Sequence, residues 1–252
     1  MSNATQLAQA VAIGVNTSNQ QLHLPIELRR EPTLAEYLPG PNAEAVDNIA
    51  AMAAGTGEPF LFLFGNQGTG KTHLLQAACL DAAQRGLKAN FVPLGTEGLG
   101  PGILENLEHS DLVAIDDIEA ISGKADWERS LLDFFNQIRA QGHRLLVAAR
   151  TAPDNLSLEL ADLSSRLQWG PRYCLAPLND RQCEELLIRS AEHCGMRLSP
   201  DVVRFIMNNS ARDPASLVTL IARLDSFSLR EQRQPTIPLV RRAMEDDSKE
   251  EG

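Results

Sequence analysis

Basic residues are the first shortage. The 252 residues carry 23 Lys and Arg against 33 Asp and Glu, a formal charge of −10. Gripping nucleic acid demands a basic surface that neutralises phosphates, so direct nucleic-acid binding is disfavoured as the main activity and protein partners are expected. No long Lys/Arg stripe appears. Long apolar runs are also missing, since none approaches the roughly 20 residues that span a bilayer; no membrane partner is expected. The N-terminus has no basic start followed by a long apolar core, so no secretory signal and a cytoplasmic location are expected. Cysteine is sparse and scattered. Cys79, Cys174, Cys183 and Cys194 form no C-x-x-C pair and no paired Cys/His arrangement, so reduced thiols are expected and a Cys/His metal site is not.

What the chain does have is Gly65-Asn66-Gln67-Gly68-Thr69-Gly70-Lys71-Thr72, which fits the phosphate-loop pattern G-x-x-x-x-G-K-[ST] at every fixed position. Phe60 to Phe64 reads as a buried strand before it, and Leu74 to Arg85 as an amphipathic helix after it. Glycines let backbone N–H groups curl around phosphates, and the helix N-terminus adds a favourable dipole. Lys71 would reach the β- and γ-phosphates and the Thr72 hydroxyl would hold Mg²⁺; His73, next at the head of the helix, is counted with the loop as a nucleotide-binding candidate. A nucleoside phosphate, ADP or ATP with Mg²⁺, is the expected cofactor.

A second acidic element matches this loop. Leu112 to Ile115 is an apolar strand that ends in Asp116 and Asp117. Asp116 would hold Mg²⁺, because that ion prefers oxygen ligands and bridges terminal phosphates. Asp117 would orient or deprotonate an attacking water.

Along the chain, residues 1–30 read as a tail without sustained period. A helix is expected over 43–54, closed by Gly55-Thr56-Gly57. Leu38 and Pro39 precede it and are candidates to wall the base. A second strand covers 88–94, a glycine-rich loop 95–102 and a short helix 103–108. Trp127 to Gln141 is amphipathic, with Leu131, Leu132, Phe135 and Ile138 on one face. Strands follow at 144–149 and 173–178, separated by a helix over 158–167. After Asn179 everything reads as helix, with starts at Asp180, Ser199-Pro200, Asp213-Pro214 and Pro238. The fold expected is α/β: a P-loop core of three layers with a five-stranded parallel sheet over 31–178, an all-α lid over 179–247, and a charged tail over 248–252.

These residues carry a family resemblance. The phosphate loop, the Asp116-Asp117 pair and Leu163-Ser164-Ser165-Arg166-Leu167-Gln168-Trp169-Gly170 resemble the AAA+ ATPases of the DnaA/DnaC clan over about residues 31–247. The last stretch is similar to the segment that supplies the clan's arginine finger. The resemblance implies that Arg166 projects into a neighbour's nucleotide, where a permanently charged planar fork stabilises the transferring phosphoryl group. A second resemblance lies upstream. Gln21-Leu22-His23-Leu24-Pro25-Ile26 resembles the short peptide by which bacterial replication proteins dock on the DNA polymerase sliding clamp. It implies that Gln21 bonds the pocket rim while Leu24 and Ile26 fill the pocket, beside Leu22 and Pro25.

DnaA initiators carry a C-terminal helix-turn-helix domain, and none is expected here after the lid. A DnaA-type core with a clamp peptide resembles the regulatory members of the clan. That implies a regulator of replication initiation that reaches DNA indirectly through the clamp, is associated with the replisome and nucleoid, and provokes hydrolysis of ATP held by the DnaA initiator. Two departures bear on mechanism. Ala148-Ala149-Arg150-Thr151 stands where relatives place a polar or acidic sensor, and the lid's sensing arginine falls at Ala215, with Arg212 one turn earlier. Whether Arg150 or Arg212 takes over stays open here. Retained phosphate binders without γ-phosphate sensors predict weak intrinsic ATPase activity and an ADP-bound working state. A homo-oligomer formed by pairing of clamp peptides is a further expectation. The alternatives are a DnaC-like helicase or transposase loader, which should bind single-stranded DNA and a helicase, and a small-molecule kinase.

Overall fold

The computed structural model describes residues 32–211, 213–231 and 233–245. Helix α1 (Ala43–Ala53) precedes β1 (Phe60–Phe64), α2 (Lys71–Gln84), β2 (Ala89–Pro93) and β3 (Leu112–Asp116). Helix α3 (Ala125–Ala140), β4 (Arg144–Ala149), the short α4 (Ala161–Leu167) and β5 (Arg172–Cys174) follow. The five strands are all parallel in the order β2-β3-β4-β1-β5.

The apolar strands are two-faced. Successive side chains leave a strand on opposite sides, so Phe60 and Phe62 of β1 enter one cluster while Leu61 and Leu63 enter another. The same alternation splits Val113 and Ile115 from Leu112 and Ala114, and Leu145, Val147 and Ala149 from Leu146 and Ala148. Helices α1 and α2 cover one face through Ile49, Met52, Leu74 and Leu75. On the other, α3 and α4 lay down Trp127, Leu131, Phe134, Phe135, Ile138, Leu163 and Leu167. Each such side chain fully buried stabilises the fold by about 1.5–3 kcal/mol relative to exposure. This three-layer arrangement is the one the sequence predicts.

Several boundaries differ, for local reasons. No helix spans 103–108; two short 3₁₀ turns, Pro101–Leu104 and Leu107–His109, stand there because Asn106 between them is left-handed, with φ 66°. Strand β5 ends at Cys174 rather than at 178. After it Leu175 N–H still bonds the Phe64 carbonyl, at 2.7 Å, but Pro177 has no N–H with which to continue the ladder. On α3 the buried face includes Phe134, with Leu132 only partly covered.

The last helices are α5 (Asp180–His193), α6 (Pro200–Asn209), α7 (Pro214–Glu231) and α8 (Ile237–Glu245). They share their own apolar cluster, which includes Leu187, Ile206, Leu217, Leu224 and Val240. The chain divides into two compact units. The first contains Asn42–Gly65 and Lys71–Leu175; the second contains Leu38–Pro41, Asn66–Gly70 and the chain from Ala176. No helix among the described residues is long and apolar enough to cross a membrane.

Candidate functional site

Parallel strands end together, and here the ends carry the chemistry. Phe64 pairs with Ala149 and Ile115 with Val147, so Gly65, Arg150 and the Asp116-Asp117 pair leave the same edge of the sheet. Gly68 and Gly70 take φ of 82° and 86°, the left-handed region that only glycine enters without strain. Such turns direct consecutive N–H groups to one side, an arrangement that suits an anion.

In the first unit, Lys71 opens α2, is buried, and donates from Nζ to the Gly65 carbonyl at 2.7 Å. Burial holds its ammonium below the ordinary lysine value, while Asp116, Glu119 and Asp117 pull the other way. Thr72 Oγ1 donates to Asp116 Oδ2 at 2.6 Å. Asp116 is only 2% exposed. Burial pushes its carboxyl above the usual range, and the Thr72 hydrogen bond only partly opposes this. A hydroxyl and a carboxylate oxygen thus stand side by side, a donor pair whose hard oxygens fit Mg²⁺, which is usually held by one or two carboxylates together with phosphates.

Asp117 occupies the left-handed region, with φ 54° and ψ 46°. Such a conformation costs a non-glycine residue about 1–3 kcal/mol and clusters at functional sites. Its carboxylate presses against Gly95, where an added Cβ would lie 2.8 Å from Oδ2. Two charged groups complete this edge. Arg150 Nε lies 3.1 Å from Glu119 Oε1, and the Arg150 N–H donates to Glu119 Oε2 at 3.3 Å. Both act on the charge of Lys71. The sequence reading left Arg150 open and missed Glu119, although its position two residues after Asp117 was a usable signal.

His73 is engaged elsewhere: its Nε2 is 2.9 Å from the Thr33 carbonyl, and its ring stands 5.9 Å from that of Tyr37. In the second unit, Thr69 is buried with Oγ1 donating to the Asn66 carbonyl at 2.9 Å. Leu38 is buried and Pro39 half-buried in the same unit. A Cβ placed on Gly68 would be 3.4 Å from Asp213 Cβ, and Asp213 caps α7 by accepting from the Ser216 N–H at 2.9 Å. Although partial burial opposes it, bonding from Ser216 holds the Asp213 carboxyl below its usual value. Arg212 lies outside the described residues, as do Gln21, Leu22, Leu24, Pro25 and Ile26.

Arg166 sits on α4, half-buried, and its guanidinium has no hydrogen bond or ion pair with any described residue. Leu163 and Leu167 on the same helix are fully buried. Beside it, Trp169 is 44% exposed, and the Arg139 guanidinium lies 3.4 Å over its ring.

Comparison with known proteins follows the same division. Residues 180–244 match the family model of the Hda lid domain, and residues 101–173 match that of the bacterial DnaA ATPase domain. An uncharacterized protein of Haemophilus influenzae is 36% identical over 228 residues, covering 90% of this chain and 99% of its own. Domain III of the Thermotoga maritima replication initiation protein DnaA superposes with a TM-score of 0.71 at 22% identity, over 86% of this chain and 97% of that one. AMPPCP-bound DnaA from Aquifex aeolicus gives 0.66 at 20% identity, over 89% and 71%. The Thermotoga maritima RuvB Holliday junction branch migration motor shares the fold at 0.62 and 21% identity, over 86% and 72%. The chain belongs to the Hda-like, DnaA-homologous AAA+ proteins.

Proposed function

We propose that this protein regulates the initiation of replication by stimulating ATP hydrolysis on the DnaA initiator, with Arg166 as a finger supplied in trans, while it holds ADP and Mg²⁺ in its own phosphate loop. The observation that carries the reading is the half-buried Arg166 guanidinium, set on a short anchored helix without an ion-pair partner among the described residues. An arginine already committed to a local carboxylate would have to give up that pair before serving a neighbour. Membership among DnaA-homologous AAA+ proteins supports a nucleotide-loaded neighbour of similar fold. AMPPCP bound by the Aquifex aeolicus DnaA supports a nucleotide in the loop of this chain.

The residues of the site divide the work. Backbone N–H groups from Gly65 to Thr72 would cradle the phosphates, and Lys71 Nζ would exchange the Gly65 carbonyl for a phosphate oxygen. Thr72 and Asp116 would hold Mg²⁺, which would supply charge neutralisation to the bound phosphates. Asp117 would take a water. Alanines at 148, 149 and 215, where the resemblance implies γ-phosphate sensors, support diphosphate as the working ligand and a slow turnover by the chain itself. On a partner, Arg166 would stabilise charge on the transferring group, a contribution worth about 10³–10⁵ in rate where it has been isolated. Docking on the sliding clamp through Gln21, Leu22, Leu24, Pro25 and Ile26 would bring the protein to DNA without a basic surface of its own.

The test is the rate at which ATP-loaded DnaA hydrolyses its nucleotide, with and without this protein, in the presence of clamp loaded on DNA. Clamp-dependent acceleration is expected, lost in Arg166→Ala and in a Gln21/Leu24 double alanine variant. No acceleration with either the ADP- or the ATP-bound protein overturns the reading and moves a DnaC-like loader to first place.

A further inference from the structure

Helix α3 buries one residue that its apolar face does not explain. Glu128 is 0% exposed, beside Trp127 and three residues before Leu131. A carboxylate in that position is costly unless hydrogen bonds replace its water. It accepts three, all from backbone N–H groups: Gly123 on Oε1 at 2.8 Å, and Glu159 and Leu160 on Oε2 at 2.9 and 2.8 Å.

Two of those donors are the entry to α4. Leu160 is its N-cap residue and, being apolar, provides no side-chain cap. The first N–H groups of a helix have no partner within it. A seven-residue helix is also far below the length at which isolated helices persist. Glu128 takes the N–H of the N-cap residue Leu160 and that of Glu159 before it, the part that an acidic side chain at the third helical position plays in a capping box, here supplied from another helix. The third donor, Gly123, closes the turn that follows Ile118–Ile121. One carboxylate thereby joins the chain leaving the Asp116-Asp117 pair to the start of the helix that bears Arg166.

We propose that Glu128 is the positioning residue of the finger: by holding the Glu159 and Leu160 amides it fixes where α4 begins, and so where Arg166 stands, while touching neither nucleotide nor partner. This rests on the reading of Arg166 as a finger. Displacement of a reacting group by about 1 Å can cost around 100-fold in rate, so the effect should appear in the chemical step rather than in association.

The full chain is compared as wild type, Glu128→Ala, Glu128→Gln and Arg166→Ala. In Glu128→Ala, the maximum stimulated rate of DnaA hydrolysis should fall about 10- to 100-fold, with the half-saturating concentration and the affinity for a fluorescent ADP unchanged. Hydrogen exchange over residues 159–167 should speed up selectively. Glu128→Gln, which keeps one carbonyl oxygen for the Glu159 and Leu160 amides, should recover most of both. Unchanged exchange at 159–167 in Glu128→Ala overturns the proposal whatever Arg166 does, and so does loss of ADP affinity together with stimulation in both Glu128 variants. Full stimulation retained by Arg166→Ala overturns the finger reading instead, and with it the functional half of this proposal, leaving the exchange result to judge the tether alone.

Discussion

Asp116 is the residue at which stability and chemistry pull apart. Burial raises its carboxyl above the usual value, so the folded chain binds that proton more tightly than the unfolded one. Stability contributed by the protonated form is lost as pH rises from the ordinary carboxylate range through the raised folded value, and above it the cost stands in full. Asp116→Asn keeps an acceptor for the Thr72 hydroxyl without the charge. The nucleotide-free variant should melt higher than the wild type at about pH 8, by about 2–4 °C for each kcal/mol recovered, and the gap should close as pH approaches about 4. Calorimetry across that range measures it, and Mg²⁺-dependent nucleotide affinity should fall in the same variant. A gap independent of pH would assign the gain to packing. Lys71 and Thr72 were legible in the sequence because the loop motif fixes their spacing, and Asp116 because an apolar strand runs directly into an acid pair. Glu128 was not, because an acid at one position of an amphipathic helix reads as solvated surface when its three N–H donors come from elsewhere in the chain.

At the scale of the element, helix starts were written locally and could be read; helix identities in loops could not. Asn179 forms a reciprocal cap with Gln182: its side chain accepts from the Gln182 N–H at 3.0 Å, and Gln182 Oε1 accepts from the Asn179 N–H at 2.9 Å. Asn179→Ala should destabilise the second unit by about 1 kcal/mol, read as a lower urea midpoint with unchanged slope. Ser199 before Pro200 and Asp213 before Pro214 cap α6 and α7 by the same logic. By contrast, α4 begins at Ala161 and not at 158. The Glu159 and Leu160 amides are taken by Glu128, and the Leu158 N–H bonds the Leu156 carbonyl. A pattern of apolar residues extends the apparent helix upstream; a distant carboxylate ends it. Likewise Asn106 divides 101–109 into two turns through a backbone angle that no side-chain periodicity records.

For the whole molecule, the first unit has two apolar clusters, one on each face of its sheet, and the second unit has its own, and thermal unfolding should resolve into two transitions, one for each unit. Ile206 is fully buried in the second unit's cluster. Ile206→Ala should cost about 2–5 kcal/mol and lower one transition while leaving the other within error, as followed by calorimetry or by hydrogen exchange over 180–245. A single transition that moves as one would show that the two units unfold together. Alternating strands and helices followed by helices alone made the layered core and its all-helical companion legible from sequence. Composition of the second unit was not, since proximity of Leu38–Pro41 and Asn66–Gly70 to one compact body is a matter of folding in space. That patchwork constrains inheritance. A crossover between related genes near codon 176 would transfer the helices of one parent and leave two other pieces of the same unit, most of the phosphate loop among them, to the other parent. Recombination can exchange these helices intact only between lineages that already agree at those two short stretches.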